Sequence, residues 1–144
     1  MLKSSGKFFV LFFLFFVGLQ GFSQTNCKII AKTKCLPKLK PYLNTEQLYT
    51  TTMLNGDKTS LPFTFYYGLE YRIIICTQEA LGKITFNLRD GSNKILFTTF
   101  GYNTIQWDFH VENTEDMTIE VLSSEVKGDG LDKSGCATII VGSK

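Results

Sequence analysis

From Gln47 onward, apolar and polar residues alternate with the two-residue period of strands that bury one face. The alternation is cleanest over 83–89, where Ile84, Phe86 and Leu88 oppose Lys83, Thr85, Asn87 and Arg89. It recurs over 105–112, where Ile105, Trp107, Phe109 and Val111 oppose Gln106, Asp108, His110 and Glu112, and again through Met117, Ile119 and Val121. Leu48–Leu54, Thr59–Tyr66, Lys94–Phe100 and Cys136–Val141 add runs rich in β-branched and aromatic residues. Glu70–Thr77 (EYRIIICT) is different: its nearly continuous apolar run is that of a strand covered on both faces near the middle of a sheet.

The segments between these runs are turns by composition: Asn55-Gly56-Asp57, Tyr67-Gly68, Asp90–Asn93 and Asn113–Asp116. Pro62 cannot donate to a ladder and places its strand at an edge or a strand start. The runs 83–89 and 94–100 should form a hairpin. Connections this short leave no room for crossover helices, so the sheets are antiparallel. The predicted fold is all-β: an antiparallel two-sheet β-sandwich of about eight strands, most simply a jelly roll.

Asn26–Tyr42 is the one helical stretch, with Ile29, Ile30, Leu36 and Leu39 among lysines and with Pro37 and Pro41 limiting it. It predicts a short N-terminal helix packed on the sandwich. Ahead of it, Lys3 and Lys7, the apolar run Phe8–Leu19 and the small residues Gly21 and Ser23 have the layout of an export signal. Residues 1–23 are therefore expected to be a signal peptide and 24–144 a single domain, secreted or periplasmic, with 24–46 as its helical or irregular start. Insertion in the membrane after cleavage is not expected.

Without Lys3 and Lys7 the fifteen basic residues become thirteen, equal to the thirteen acidic ones, which removes the support for a nucleic-acid partner. The charge that remains is uneven. Lys28, Lys32, Lys34, Lys38 and Lys40 have no acid among them, while eight acids and one lysine lie between Asp108 and Asp132.

All four cysteines lie beyond the signal, and an even count in an exported protein favours disulfides. Cys76 with Cys136 is the preferred pair, since both sit in strand-like runs that would be natural neighbours. Cys27 with Cys35 follows by elimination, although that local pair needs a break in any helix between them, because eight helical residues rise about 12 Å. A zinc site fails on spacing, with no close CxxC and one histidine.

CLPKLKPY at Cys35–Tyr42, FYYGLEYRIIIC at Phe65–Cys76, ILF at Ile95–Phe97, WDFHVENT at Trp107–Thr114 and GCATIIVG at Gly135–Gly142 cover most of the chain beyond the signal. In this order they resemble an uncharacterised family of small secreted proteins of Gram-negative bacteria. The C-terminal half also resembles the β-sandwich modules attached to secreted peptidases, in which an aspartate turn links two strands and a W-x-F strand follows. Neither resemblance implies catalytic residues on this chain.

Candidate chemistry falls in three places. Asp108, His110 and Glu112 are alternate residues, so on one strand face they would stand about 7 Å apart, within reach of a shared metal. The bland reading of the same trio is the solvated face of a strand that buries Trp107 and Phe109. Asp129 and Asp132 lie in an acidic, glycine-bearing loop that resembles a calcium turn but lacks the ligand spacing of an EF-hand. Tyr66, Tyr67 and Tyr102 sit at turns, where rings stack on a sugar or a partner surface. There is no nucleophile elbow, and one histidine must serve any Ser-His or Cys-His pair. The reading is a non-catalytic binding or structural accessory module that needs no cofactor and has a protein or glycan of the cell envelope as its partner. The alternative is an exported metal-dependent hydrolase centred on His110.

Overall fold

The computed structural model describes residues 26–100, 105–124 and 133–144. The predicted export signal lies outside them. Among the described residues no helix is long and apolar enough to cross a membrane.

Among the described residues eight strands form: β1 (Leu43–Leu54), β2 (Lys58–Phe65), β3 (Glu70–Thr77), β4 (Ile84–Arg89), β5 (Ile95–Thr98), β6 (Gln106–His110), β7 (Glu115–Ser123) and β8 (Ser134–Ser143). They make two four-stranded sheets, β1-β8-β3-β6 and β2-β7-β4-β5, with every pairing antiparallel. The pairs β1·β8, β2·β7, β3·β6 and β4·β5 are those of one long ribbon folded back at residues 90–94. Rolling that ribbon joins β3 to β8 and β4 to β7, which is the jelly roll the alternation predicts. The predicted 83–89/94–100 hairpin is present as β4·β5. The other short turns carry the chain from one sheet to the other.

The inward residues make one core. Tyr71, Ile73 and Ile75 of β3, Ile139 and Val141 of β8, Phe86 and Leu88 of β4, and Met117, Ile119 and Val121 of β7 are all buried there. Leu81 closes one end of the sandwich against Met53 and Ala137. At the β5/β6 edge, the rings of Phe97 and Trp107 stack with centroids 3.7 Å apart and seal the gap between the sheets.

Why β3 reads as apolar on both faces is explained by the N-terminal segment. Helix α1 (Asn26–Ile30) runs on into a π-helical turn, Ala31–Cys35, and a 3-10 turn, Leu36–Leu39. These turns lay Cys35 and Leu39, followed by Tyr42, on Ile74 and Ile140, the outward residues of β3 and β8. Close approach is essential there, since a Cβ on Gly142 would stand 2.6 Å from Leu39 Cδ1. The segment expected to be irregular up to residue 46 turns to strand earlier, at Leu43, because Leu43 and Asn44 pair with Ser143 and Gly142.

The disulfide pairing differs from the expectation. Cys27 is bonded to Cys136, with Cα atoms 5.4 Å apart, and ties α1 to β8. β3 and β8 are neighbours as anticipated, but their register sets Cys76 opposite Thr138. Cys136 lies instead beside Gln78, whose N–H donates to the Cys136 carbonyl at 3.0 Å. The local Cys27–Cys35 pair fails for helical geometry: the chain between them is continuously coiled, and Cys35 turns inward to the sheet.

Candidate functional site

The β2–β3 turn, Tyr66–Leu69, stands at one end of the sandwich. Gly68 takes a φ of +81°, which lets the turn reverse within these few residues. Its backbone is held on every side. Tyr66 N–H donates to the hydroxyl of Tyr71 at 3.0 Å, and Tyr67 N–H to Thr114 Oγ1 at 3.0 Å. Gly68 N–H donates to the Val111 carbonyl at 2.9 Å, and Val111 N–H returns a bond to the Leu69 carbonyl at 3.0 Å. Beneath the turn, the buried Tyr71 packs edge-on against Phe65, centroids 4.9 Å apart, and stacks with Phe109.

While the backbone is fixed, the rings are not covered: Tyr66 is 57% and Tyr67 72% exposed, and Leu69 is also exposed. Water-exposed rings on a fixed backbone form a preorganised apolar surface, since little freedom is left to lose when a partner covers them.

Beside the turn opens a groove of about 650 Å³, lined by Thr45, Pro62, Thr64, Tyr66, Leu69, Asp116 and Ser143, with Phe63 and Tyr71 also contributing. It lies between β1 and β2, which edge the two sheets on the same side, as the 3.1 Å bond between Tyr49 OH and Thr59 Oγ1 shows. No stacked aromatic pair like Phe97–Trp107 closes this edge among the described residues. An irregularity in β1 bounds the groove: Asn44 pairs with Gly142 and Leu48 with Ile140, so residues 45–47 stand opposite Val141 alone. Thr45 Oγ1 donates to the Val141 carbonyl at 2.8 Å, and Thr64 Oγ1 to Asp116 Oδ1 at 2.6 Å.

A charged strip borders the turn on the outer face of the first sheet. Arg72 grips Asp108 through two hydrogen bonds, Nε to Oδ1 at 2.8 Å and Nη2 to Oδ2 at 2.6 Å, and Nη1 donates to the Lys40 carbonyl at 2.9 Å. The Arg72 hydrogen bonds hold the Asp108 carboxyl below its ordinary pKa. Lys144 pairs with Glu70 at 3.0 Å, and both Arg72 and Lys144 lie over the Tyr42 ring.

The strip also locates the predicted metal trio. Asp108 and His110 share β6, but Asp108 faces Arg72 and His110 stands opposite Glu70. β6 ends at His110, and Glu112 lies in the following bend, off the strand face. Among the described residues, no three of His, Cys, Asp or Glu gather as a metal site. Asp129, Asp132 and Tyr102 lie outside the described residues. Of the tyrosines singled out, the structure brings Tyr66 and Tyr67 together on one turn.

A polar cluster that the alternation did not reveal lies on the outer face of the second sheet. Glu120 is only 6% exposed although its side chain points away from the core. Its Oε2 accepts from Asn87 Nδ2 at 2.9 Å and from Arg89 Nε and Nη2 at 3.2 Å, and its Oε1 meets Lys58 Nζ at 3.3 Å. Burial raises the Glu120 pKa, but the bonds from Asn87, Arg89 and Lys58 outweigh it and hold the carboxyl below its usual value.

No family model matches the chain, and no curated protein matches it as a relative. Among solved structures it is similar to PliG of Aeromonas hydrophila, a periplasmic inhibitor of g-type lysozyme. That likeness has a TM-score of 0.52 at 11% identity, over 73% of this chain and 90% of that one. A CBM36-1 domain of a multidomain xylanase, from the hindgut metagenome of Trinervitermes trinervoides, matches at a TM-score of 0.30 and 15% identity, over 72% of this chain and 92% of that one. Neither is a peptidase module. The first likeness is one of fold: this chain is a two-sheet β-sandwich of the kind found in that periplasmic inhibitor.

Proposed function

We propose that this chain is an exported, non-catalytic binding module that engages a protein or glycan of the cell envelope through the Tyr66–Tyr67 turn and the groove beside it. The observation that carries this reading is the pair of exposed rings on a backbone pinned by Tyr71, Thr114 and Val111. Export is supported by the predicted signal over 1–23 and by the Cys27–Cys136 disulfide, which suits an oxidising compartment. The fold shared with a periplasmic lysozyme inhibitor makes lysozymes the first proteins to try as partners.

Tyr66 and Tyr67 are already partly covered, so each ring offers about 1.5 kcal/mol, the low end for burying a large side chain, to a partner that covers the rest. The competing reading, a hydrolase centred on His110, would have to draw Asp108 out of its two bonds to Arg72. The test is retention of the purified 24–144 protein on g-type lysozyme, on peptidoglycan and on envelope extracts, alongside metal analysis. We expect binding without turnover, weakened roughly tenfold by each of Tyr66→Ala and Tyr67→Ala. Binding indifferent to both substitutions refutes the assignment of this face, and a stoichiometric transition metal restores the hydrolase.

A further inference from the structure

The Cys27–Cys136 bond accounts for two of the four cysteines, and the remaining two are not scattered. Cys35 is buried on the underside of the N-terminal turns, in the cluster formed with Leu39, Tyr42, Ile74 and Ile140, and Cys76, on the outer face of β3, packs against that same cluster. The π-helical turn that carries Cys35 is in direct contact with β3, which carries Cys76. Both line a small pocket of about 220 Å³ that also includes Lys34, Lys38 and Cys136. From this juxtaposition we propose that Cys35 and Cys76 form a second disulfide, a modification site that staples the N-terminal turns to β3 as Cys27–Cys136 staples them to β8.

The chemistry suits the surroundings. The neighbouring Cys76 thiol, with Lys38 and Lys34 nearby, lowers the Cys35 pKa despite burial, while Cys76 is raised by Cys35 and by burial. Cys76 is partly exposed where Cys35 is buried, so Cys76 is the sulfur that an external disulfide reaches and Cys35 the one that resolves it. Cys76 loses its proton to solvent, opens an external disulfide such as oxidised glutathione, and forms a mixed disulfide as one thiolate leaves. Cys35 gives its proton to that leaving thiolate and attacks the Cys76 sulfur, which expels the second thiolate to take up a proton from solvent. Two protein S–H bonds are lost and one S–S bond is formed, and the external disulfide is reduced to two thiols.

Trypsin places each cysteine in a separate peptide, cutting after Lys28, Lys34, Lys38, Arg72, Lys83 and Lys133. The experiment folds the 24–144 protein in a glutathione redox buffer, alkylates it under denaturing, non-reducing conditions and maps the peptides by mass spectrometry. We expect no alkylated cysteine, one peptide pair joining Cys35 to Cys76 and one joining Cys27 to Cys136. In Cys35→Ser, Cys76 should become the single alkylated cysteine while Cys27–Cys136 persists. Alkylation of both Cys35 and Cys76 in the wild type, or a peptide pair joining Cys76 to Cys136, overturns the proposal.

Discussion

Substituting Glu120 with alanine removes the carboxylate that joins β2, β7 and β4 across the outer face of the second sheet. Glu120 stands opposite Ser60 on one side and Asn87 on the other, so its partners come from both neighbouring strands. Breaking a fully buried ion pair costs about 3–5 kcal/mol. Here the cost is smaller: the Lys58 side chain is 59% exposed and returns to water, and Arg89, 24% exposed, keeps its bond to the Asn93 carbonyl. What is left is the stranded Asn87 amide, at about 1–3 kcal/mol, and part of the Arg89 interaction. We expect a loss of about 2–3 kcal/mol at pH 7, or roughly 8–12 °C in Tm for a domain of this size. Glu120→Gln, which keeps the shape, should lose about half as much. The pH dependence follows from a folded pKa lying below the unfolded one. The stabilisation is complete above the ordinary glutamate pKa and disappears as pH falls through the lower, folded value, so the gap between wild type and Glu120→Ala should narrow below about pH 4. Urea denaturation at pH 7 and pH 3 reads both effects. A Glu120→Ala protein within about 0.5 kcal/mol of wild type at pH 7, or a gap that does not change in acid, refutes this account of the cluster.

Gly142→Ala should cost about 1–3 kcal/mol, because the new methyl meets the buried Leu39 side chain; a Leu39→Ala background should recover much of that difference in chemical denaturation. The double variant Cys27→Ser/Cys136→Ser should lose about 2–4 kcal/mol by non-reducing urea titration, since the bond closes a loop between residues 109 apart in sequence. Tyr66→Ala and Tyr67→Ala should stay within about 0.5 kcal/mol of wild-type stability, since both rings are mainly in water. A larger loss in that last pair would make them core residues and not a recognition surface.

The layered architecture was legible because burial follows local alternation: Phe86 and Leu88, Ile119 and Val121 face inward as their period requires. Strand pairing was legible at β4·β5, where five residues separate the partners, and in the adjacency of β3 and β8. The register between distant strands was not, and this is what misplaced the disulfide: β3 and β8 are adjacent, but Cys76 meets Thr138. Glu120 reads as a solvated outward residue until Lys58, Asn87 and Arg89 are brought over it from two other strands. Asp108 likewise looks free along its own strand, yet its partner Arg72 lies on the adjacent β3. The Tyr66–Tyr67 turn was visible from Tyr-Tyr-Gly, a local signal. The groove beside it was not, because Thr45, Thr64, Asp116 and Ser143 converge only once both sheets are formed.

Hydroxyl-radical footprinting of the 24–144 protein, alone and mixed with envelope extract, measures directly whether the β2–β3 turn is the recognition surface. Oxidation of Tyr66, Tyr67 and Leu69 should fall several-fold in the mixture, while Ile95 on the second sheet and Phe100 just beyond β5 keep their free-state rates. Unchanged oxidation of the two tyrosines, or protection confined to Ile95 and Phe100, would contradict the account.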